Sequence, residues 1–276
     1  MIDVYIEKFG DSFVSDFAYS AYEGFSHLSY PIKLFDDVDS IPLRFNDEGR
    51  LPLVVGCIES VERFFTRIGV TIPEPMHVPH ELMKYAQRVI KYMTLGEFKK
   101  NKDIKTPIFI KSKKLKLFPS GVINSMSYKN DLMFPHPDDT QVIVSEVIDI
   151  VSEYRCFIRK GKLVGIKNYS GDFKVFPDIS YIESMISDYK NSPIAYTMDI
   201  GIISSGEVVL VECNDAWSVG TYGLDGETTA RFFIDRWIQL TGHIKRKDKY
   251  KTLSQKIKEI DDGSPESNAM ISIWKS

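Results

Sequence analysis

The chain has 276 residues, 43% of them hydrophobic and 26% charged, with 17 glycines and 13 prolines. That is enough for one or two domains with a self-sufficient core, and it excludes disorder, collagen-like repeats and low complexity as descriptions of the whole. With 35 Lys and Arg against 38 Asp and Glu, the net charge is -3 and the pI near 6.0, so there is no strong nucleic-acid signal and no global attraction to an anionic membrane. Cys57, Cys156 and Cys213 are widely spaced without a CxxC and read as reduced thiols, not a disulfide framework or zinc site. The opening Met1–Glu7 has no basic n-region followed by an apolar run, and no window approaches 18 uninterrupted apolar residues, so the expectation is a cytoplasmic protein without a membrane segment.

In chain order, Ile2–Ile6 predicts a strand. Leu53-Val54-Val55-Gly56 predicts a second, followed by a helix on Ile58, Val61, Phe65 and Ile68 that Gly69 stops. Together they predict a small α/β unit ending near Pro73, Pro75 and Pro79. His77 and His80 flank Val78-Pro79, which favours a surface loop over a metal site. Leu82, Tyr85, Ala86, Val89 and Met93 form an apolar stripe at helical spacing. Strands follow at Ile108–Lys111, Val142–Val147, Ser152–Arg159, Leu163–Asn168, Ala195–Ile203 and Val208–Glu212, with helices near Ile179–Tyr189 and Glu227–Leu240, an α+β pattern. Residues 245–276 read as a solvated, mixed-charge tail.

The most informative stretch is the hairpin from Tyr196 to Asp215. With Ser205-Gly206 as a two-residue turn, Ser204 pairs with Glu207 and Asp199 falls opposite Glu212, with Asn214 on the same face. The other face, Met198, Ile200 and Ile202 with Val209, Val211 and Cys213, is then core. Carboxylates about 5 Å apart repel by roughly 3 kcal/mol at an effective dielectric of 20. A divalent cation removes the conflict, and two carboxylates with an amide oxygen suit Mg²⁺. The competing reading is a one-residue slip that puts the acids on opposite faces in water; the apolar alternation argues against it.

Upstream, Glu153, Arg155 and Arg159 share one strand face, either as a functional set or as an exposed Glu153–Arg155 ion pair. Pro107-Ile-Phe-Ile-Lys111 ends an apolar strand in a lysine, which can deliver a point charge to phosphate. There is no GxxxxGK[ST], GxSxG or HExxH, and Gly220, Gly223 and Gly226 lack a preceding βα turn.

The lysine-ended strand, the Glu146…Glu153 spacing, Asp199 and Glu212-x-Asn214, in that order, resemble the ATP-grasp superfamily. Glu153-Tyr-Arg155 and Glu212-Cys-Asn-Asp-Ala-Trp-Ser-Val-Gly220-x-Tyr222 look more specifically like its clade named for two arginines and one lysine, over about residues 50–240. The resemblance implies a small Rossmann-like N-terminal domain (1–78), an ATP-grasp domain of two α+β subdomains (79–244) and the charged tail (245–276). It implies Lys111, with Lys116 as a second cation, on the phosphates of ATP, the Glu146, Val147 and Ile148 backbone on adenine, and Glu153 on ribose. Asp199, Glu212 and Asn214 would hold Mg²⁺, and Arg155, with Arg159 as a same-face candidate, would face the reacting groups. Thr197 stands two residues before the first metal acid, where many superfamily members carry arginine; Arg155 from the neighbouring strand is the implied substitute. The implied activity is an ADP-forming carboxylate–amine ligase acting on a small-molecule or peptide carboxylate and an amine. A phosphotransferase and a non-catalytic Mg-ATP-binding module are the competing functions, and oligomeric state is not legible.

Overall fold

The computed structural model describes residues 2–46, 49–115, 117–124 and 136–242; Lys116 and the charged tail lie outside the described residues. Three four-stranded sheets organise these residues. In the first, β1 (Val4–Phe9) turns into a short antiparallel β2 (Ser12–Phe13), while β3 (Ile32–Phe35) and β4 (Leu53–Val55) flank β1 in parallel. Parallel neighbours require a crossover, supplied before β3 by α1 (Asp16–His27). After β4, α2 (Ile58–Ile68) buries Val61, Phe64, Phe65 and Ile68, one stripe at helical spacing, and ends on Gly69 at φ 73°.

The second sheet is antiparallel, with β5 (Ile90–Thr94), β6 (Ile108–Ser112), β7 (Gly121–Ile123) and β8 (Gln141–Glu146) in the order β5-β8-β6-β7. It packs on α3 (Leu95–Lys100), which starts at a Thr94–Glu97 capping box. The helix expected over Leu82–Met93 is not formed. A 3-10 turn at His80–Tyr85 buries Leu82 and Tyr85, Gln87 then takes φ 49°, and the chain continues as β5 with Val89 51% exposed. The apolar spacing belongs to two consecutive elements that bury into different cores.

The third sheet runs β10-β9-β11-β12, antiparallel throughout, from β9 (Ile150–Arg159), β10 (Lys162–Gly171), β11 (Ala195–Ile203) and β12 (Val208–Asp215). One face packs on α4 (Ile179–Asp188) and the 3-10 turn through Tyr154, Cys156, Met198 and Ile200. The other meets α5 (Gly226–Thr241), with Phe157 edge-on to Phe232 at 5.6 Å. That helix also completes the core of the first sheet: Phe65 stacks on Trp237 at 5.3 Å, and one hydrophobic cluster runs from Ile2 to Trp237. Helices α1 and α5 touch backbone to backbone, since a Cβ on Gly24 would stand 1.7 Å from the Gly226 carbonyl oxygen. Among the described residues no helix is long and apolar enough to cross a membrane.

Candidate active site

Asp199 lies directly opposite Glu212. The register behind this pairing differs from a two-residue turn. The loop holds three residues, Ser204 to Gly206, with Gly206 at φ 91°; the Ile203 N–H donates to the Glu207 carbonyl (3.0 Å), so Ile203 faces Glu207. Ile202 therefore faces Val208 and Ile200 faces Leu210. Val211 is then an extra, unpaired residue, a β-bulge that resets the count before Glu212. In consequence the core-facing residues of β12 are Val208, Leu210 and Cys213, in place of the expected Val209, Val211 and Cys213.

Across the third sheet, Lys167, Arg155, Asp199 and Glu212 are successive partners on β10, β9, β11 and β12. Arg155 forks onto Asp199, Nε to Oδ1 at 2.7 Å and Nη2 to Oδ2 at 2.6 Å, with Nη1 donating to the Gly220 carbonyl at 3.1 Å. The pair is buried, Arg155 at 7% and Asp199 at 3% exposure. Lys111, from β6 of the second sheet, reaches across to Glu212 Oε2 at 2.5 Å. The Asn214 amide bridges the acids, donating to Glu212 Oε1 (3.1 Å) and Asp199 Oδ2 (3.4 Å). The conflict between the carboxylates is thus relieved by a guanidinium and an ammonium, where a divalent cation had been expected to be needed. Burial pushes the Asp199 carboxyl up to about 6 against the pull of Arg155. Burial also pushes Glu212 up, but Lys111, Asn214 and Arg155 together outweigh it and the net shift is downward.

Among the described residues no group of three or more His, Cys, Asp or Glu side chains gathers as a metal site. Asp199 and Glu212 offer carboxylate oxygens, and Asn214, whose amide nitrogen faces the acids here, would complete an all-oxygen set with that amide turned over; such a set fits a hard cation keeping other ligands from water or phosphate. Asp199 Oδ1 and both Glu212 oxygens accept one bond each and keep a lone pair, and Glu212 exchanging Lys111 for the cation would open the set.

A cavity of about 770 Å³ opens over this row, walled by Lys111, Arg155, Glu212 and Asn214, by Ser15 and Cys57 of the first unit, and by Trp217. The Cys57 thiol is pushed up to about 11 by burial and by Glu7, which disqualifies it as a thiolate nucleophile at neutral pH. Tyr222, at φ 47°, stacks on Tyr169 at 5.0 Å, and its ring lies 4.8 Å from the Arg155 guanidinium. The Tyr169 hydroxyl donates to Glu153 at 2.8 Å. An exposed Glu153–Arg155 pair is therefore not what forms; each residue has another partner.

Glu146 to Ile148 lead from β8 of the second sheet to β9 of the third. The Glu146 N–H donates to the Val89 carbonyl (3.2 Å) and its carboxylate accepts from the Val89 N–H (2.9 Å), while Val147 is 41% exposed. Arg159 is not brought to the acids: its Nε donates to Asp235 of α5 at 2.5 Å. Lys116 lies outside the described residues.

Three features escaped the sequence reading. His77 is 7% exposed, not on a surface loop; its Nε2–H donates to the Lys113 carbonyl (2.8 Å) and its own carbonyl accepts from Cys213 N–H (2.5 Å). Burial, with Lys111 nearby, lowers its pKa. Asp215 forks with Arg236 of α5 (2.7 and 2.5 Å), tying down the end of β12. Arg88 donates to the carbonyls of Leu210 and Val211 at the bulge. Of these, only the position of Asp215 beside Asn214 was a usable signal.

Residues 85–232 match the model of an ATP-grasp domain family, family 2 of the clade named for two arginines and one lysine. Among solved structures, an ATP-grasp RimK domain protein from Sphaerobacter thermophilus DSM 20745 is similar at 15% identity, covering 86% of this chain and 99% of that one, TM-score 0.53. N5-carboxyaminoimidazole synthetase from Staphylococcus aureus aligns at 9% identity over 88% and 78%, TM-score 0.52. D-alanine–D-alanine ligase from Bacillus anthracis, complexed with ATP, aligns at 12% identity over 87% and 98%, TM-score 0.51. No curated protein sequence matches the chain. The similarity to these structures lies in the fold, and the family match spans more than half of the sequence. The chain belongs to the ATP-grasp proteins, in family 2 of their two-arginine, one-lysine clade.

Proposed function

We propose that the protein is an ATP-dependent ligase that joins a carboxylate to an amine and releases ADP and phosphate. The observation that carries this reading is the convergence of Lys111, Arg155, Glu212 and Asn214, from two different sheets, on one cavity. Cations and anions held on strands at a water-accessible cavity are a preformed field for phosphoryl transfer.

In this reading Lys111 binds the phosphates of ATP, the backbone at Glu146, Val147 and Ile148 reads adenine, and Glu153, held by Tyr169, accepts from ribose hydroxyls. Asp199, Glu212 and Asn214 would hold Mg²⁺, which would supply positive charge to the phosphates of ATP. The substrate carboxylate oxygen attacks the γ-phosphorus, the bond from that phosphorus to the β–γ bridging oxygen breaks, and ADP departs. Arg155 faces the acyl phosphate so formed. The amine nitrogen then attacks the acyl carbon, the carbon–oxygen bond to phosphate breaks, and the nitrogen loses a proton to solvent as the amide forms.

Three outcomes separate the competing functions. ADP release that rises on adding an amine, with amide in the products, is the expected result. A phosphorylated acceptor as the end product with amine present, and no amide, identifies a phosphotransferase, and tight ATP binding without ADP identifies a binding module.

A further inference from the structure

Among the described residues β12 is an edge strand, paired along its length with β11 and bridged once by His77, and its outward carbonyls need partners. The segment entering β5 supplies them. The Gln87 side-chain amide donates to the Val208 carbonyl at 3.3 Å, Arg88 Nη1 donates to Leu210 at 2.8 Å and to Ala86 at 3.0 Å, and Arg88 Nη2 donates to Val211 at 2.9 Å. In a regular strand successive carbonyls point to opposite sides. Two consecutive carbonyls on one guanidinium are therefore the signature of the bulge at Val211.

We propose that Arg88 is a positioning residue that fixes the Val211 bulge and thereby turns Glu212 and Asn214 onto the face of Asp199. The register makes the dependence explicit. Ile200 faces Leu210, so without the extra residue Asp199 would face Val211, and Glu212 would face Met198, which is fully buried in the core on the opposite side. A planar fork with two parallel donors matches two adjacent carbonyls; an ammonium reaches one of them. Arg88 touches no predicted substrate position and acts only through the backbone that carries the acids.

The consequence for Mg²⁺ rests on the ligase reading; the consequence for the backbone does not. The test compares wild-type protein with R88A and R88K, the latter covering the case of R88A failing to fold. Amide hydrogen exchange over Leu210–Asn214 is measured alongside ADP release as a function of Mg²⁺ and ATP. Faster exchange confined to β12 and its partner β11, with Mg²⁺ half-saturation raised about tenfold and the KM for ATP at saturating Mg²⁺ within about twofold, is the expected result for R88A, with a smaller shift of the same kind for R88K. Unchanged exchange in folded variants overturns the proposal, as does faster exchange with unaltered Mg²⁺ dependence. If the wild-type protein shows no ATP turnover, the ligase reading fails before any variant is made, and the exchange comparison alone still decides whether Arg88 holds the bulge.

Discussion

The two ends of the proposed nucleotide site are built in opposite ways. At the phosphate end, four charged residues stand in register across one sheet, and Arg155 and Asp199 are almost fully buried with every contact between them charge-assisted. At the adenine end, Glu146 to Ile148 belong to a short connection between two sheets, with Val147 exposed and Glu146 tied to the neighbouring Val89 backbone. The first arrangement is rigid and intolerant because removing either member of a buried pair strands the other. The second, in the proposed reading, would meet a flat ring with backbone groups, which leaves its side chains freer to vary.

The largest effect follows from that asymmetry. Asp199→Ala leaves the Arg155 guanidinium buried without its carboxylate and should cost roughly 3–5 kcal/mol of stability, measured by urea denaturation, as well as turnover. Next, Glu212→Gln removes a charge from a partly exposed pair: stability should move by about 1 kcal/mol or less while turnover falls about a thousandfold. A near-normal rate with normal Mg²⁺ dependence in this variant would remove Glu212 from the metal set. Arg155→Lys sharpens the comparison further. It should bind ATP within about threefold of wild type by calorimetry yet lose about a hundredfold in kcat, because one ammonium cannot replace the fork. A large loss of ATP affinity would instead make Arg155 a ground-state phosphate ligand. The smallest effects belong to the adenine end, where Glu153→Ala should weaken ATP about tenfold and Val147→Ala less than about twofold. Equal affinity for ATP and GTP would contradict adenine recognition by the connection.

Much of this was legible in advance where periodicity was unambiguous. Strand β11 was readable to its end residues, and the Asp199–Glu212 pairing followed from the hairpin. That pairing was reached, however, by a two-residue turn and an unbroken ladder, where the protein uses a three-residue loop and a bulge whose offsets cancel. Bulges leave no mark in hydrophobic alternation when both faces of a strand are buried, as Val208, Val209 and Leu210 are here. Helix α1 was invisible for a related reason: its buried face is largely Ala18, Ser20, Ala21 and Gly24, small residues chosen by close approach to α5, not by apolar contrast. The helix misread over Leu82–Met93 shows the converse, a regular spacing distributed over a turn and a strand. Arg159 shared a face with Arg155 in sequence, but two pleats along that strand it meets Asp235 of α5 instead of the acids.

The glycine contact between α1 and α5 also sets a schedule for the growing polypeptide. The cluster around Ala18, Ala21 and Phe25 is closed by Phe232, Phe233 and Trp237, which a ribosome adding 5–20 residues per second delivers roughly ten to forty seconds after Phe25. For that interval the apolar residues of the first sheet and its helices lack the α5 side chains that cover them in the finished fold. A nascent chain halted before α5 therefore carries the residues of the N-terminal sheet without the helix that completes their core.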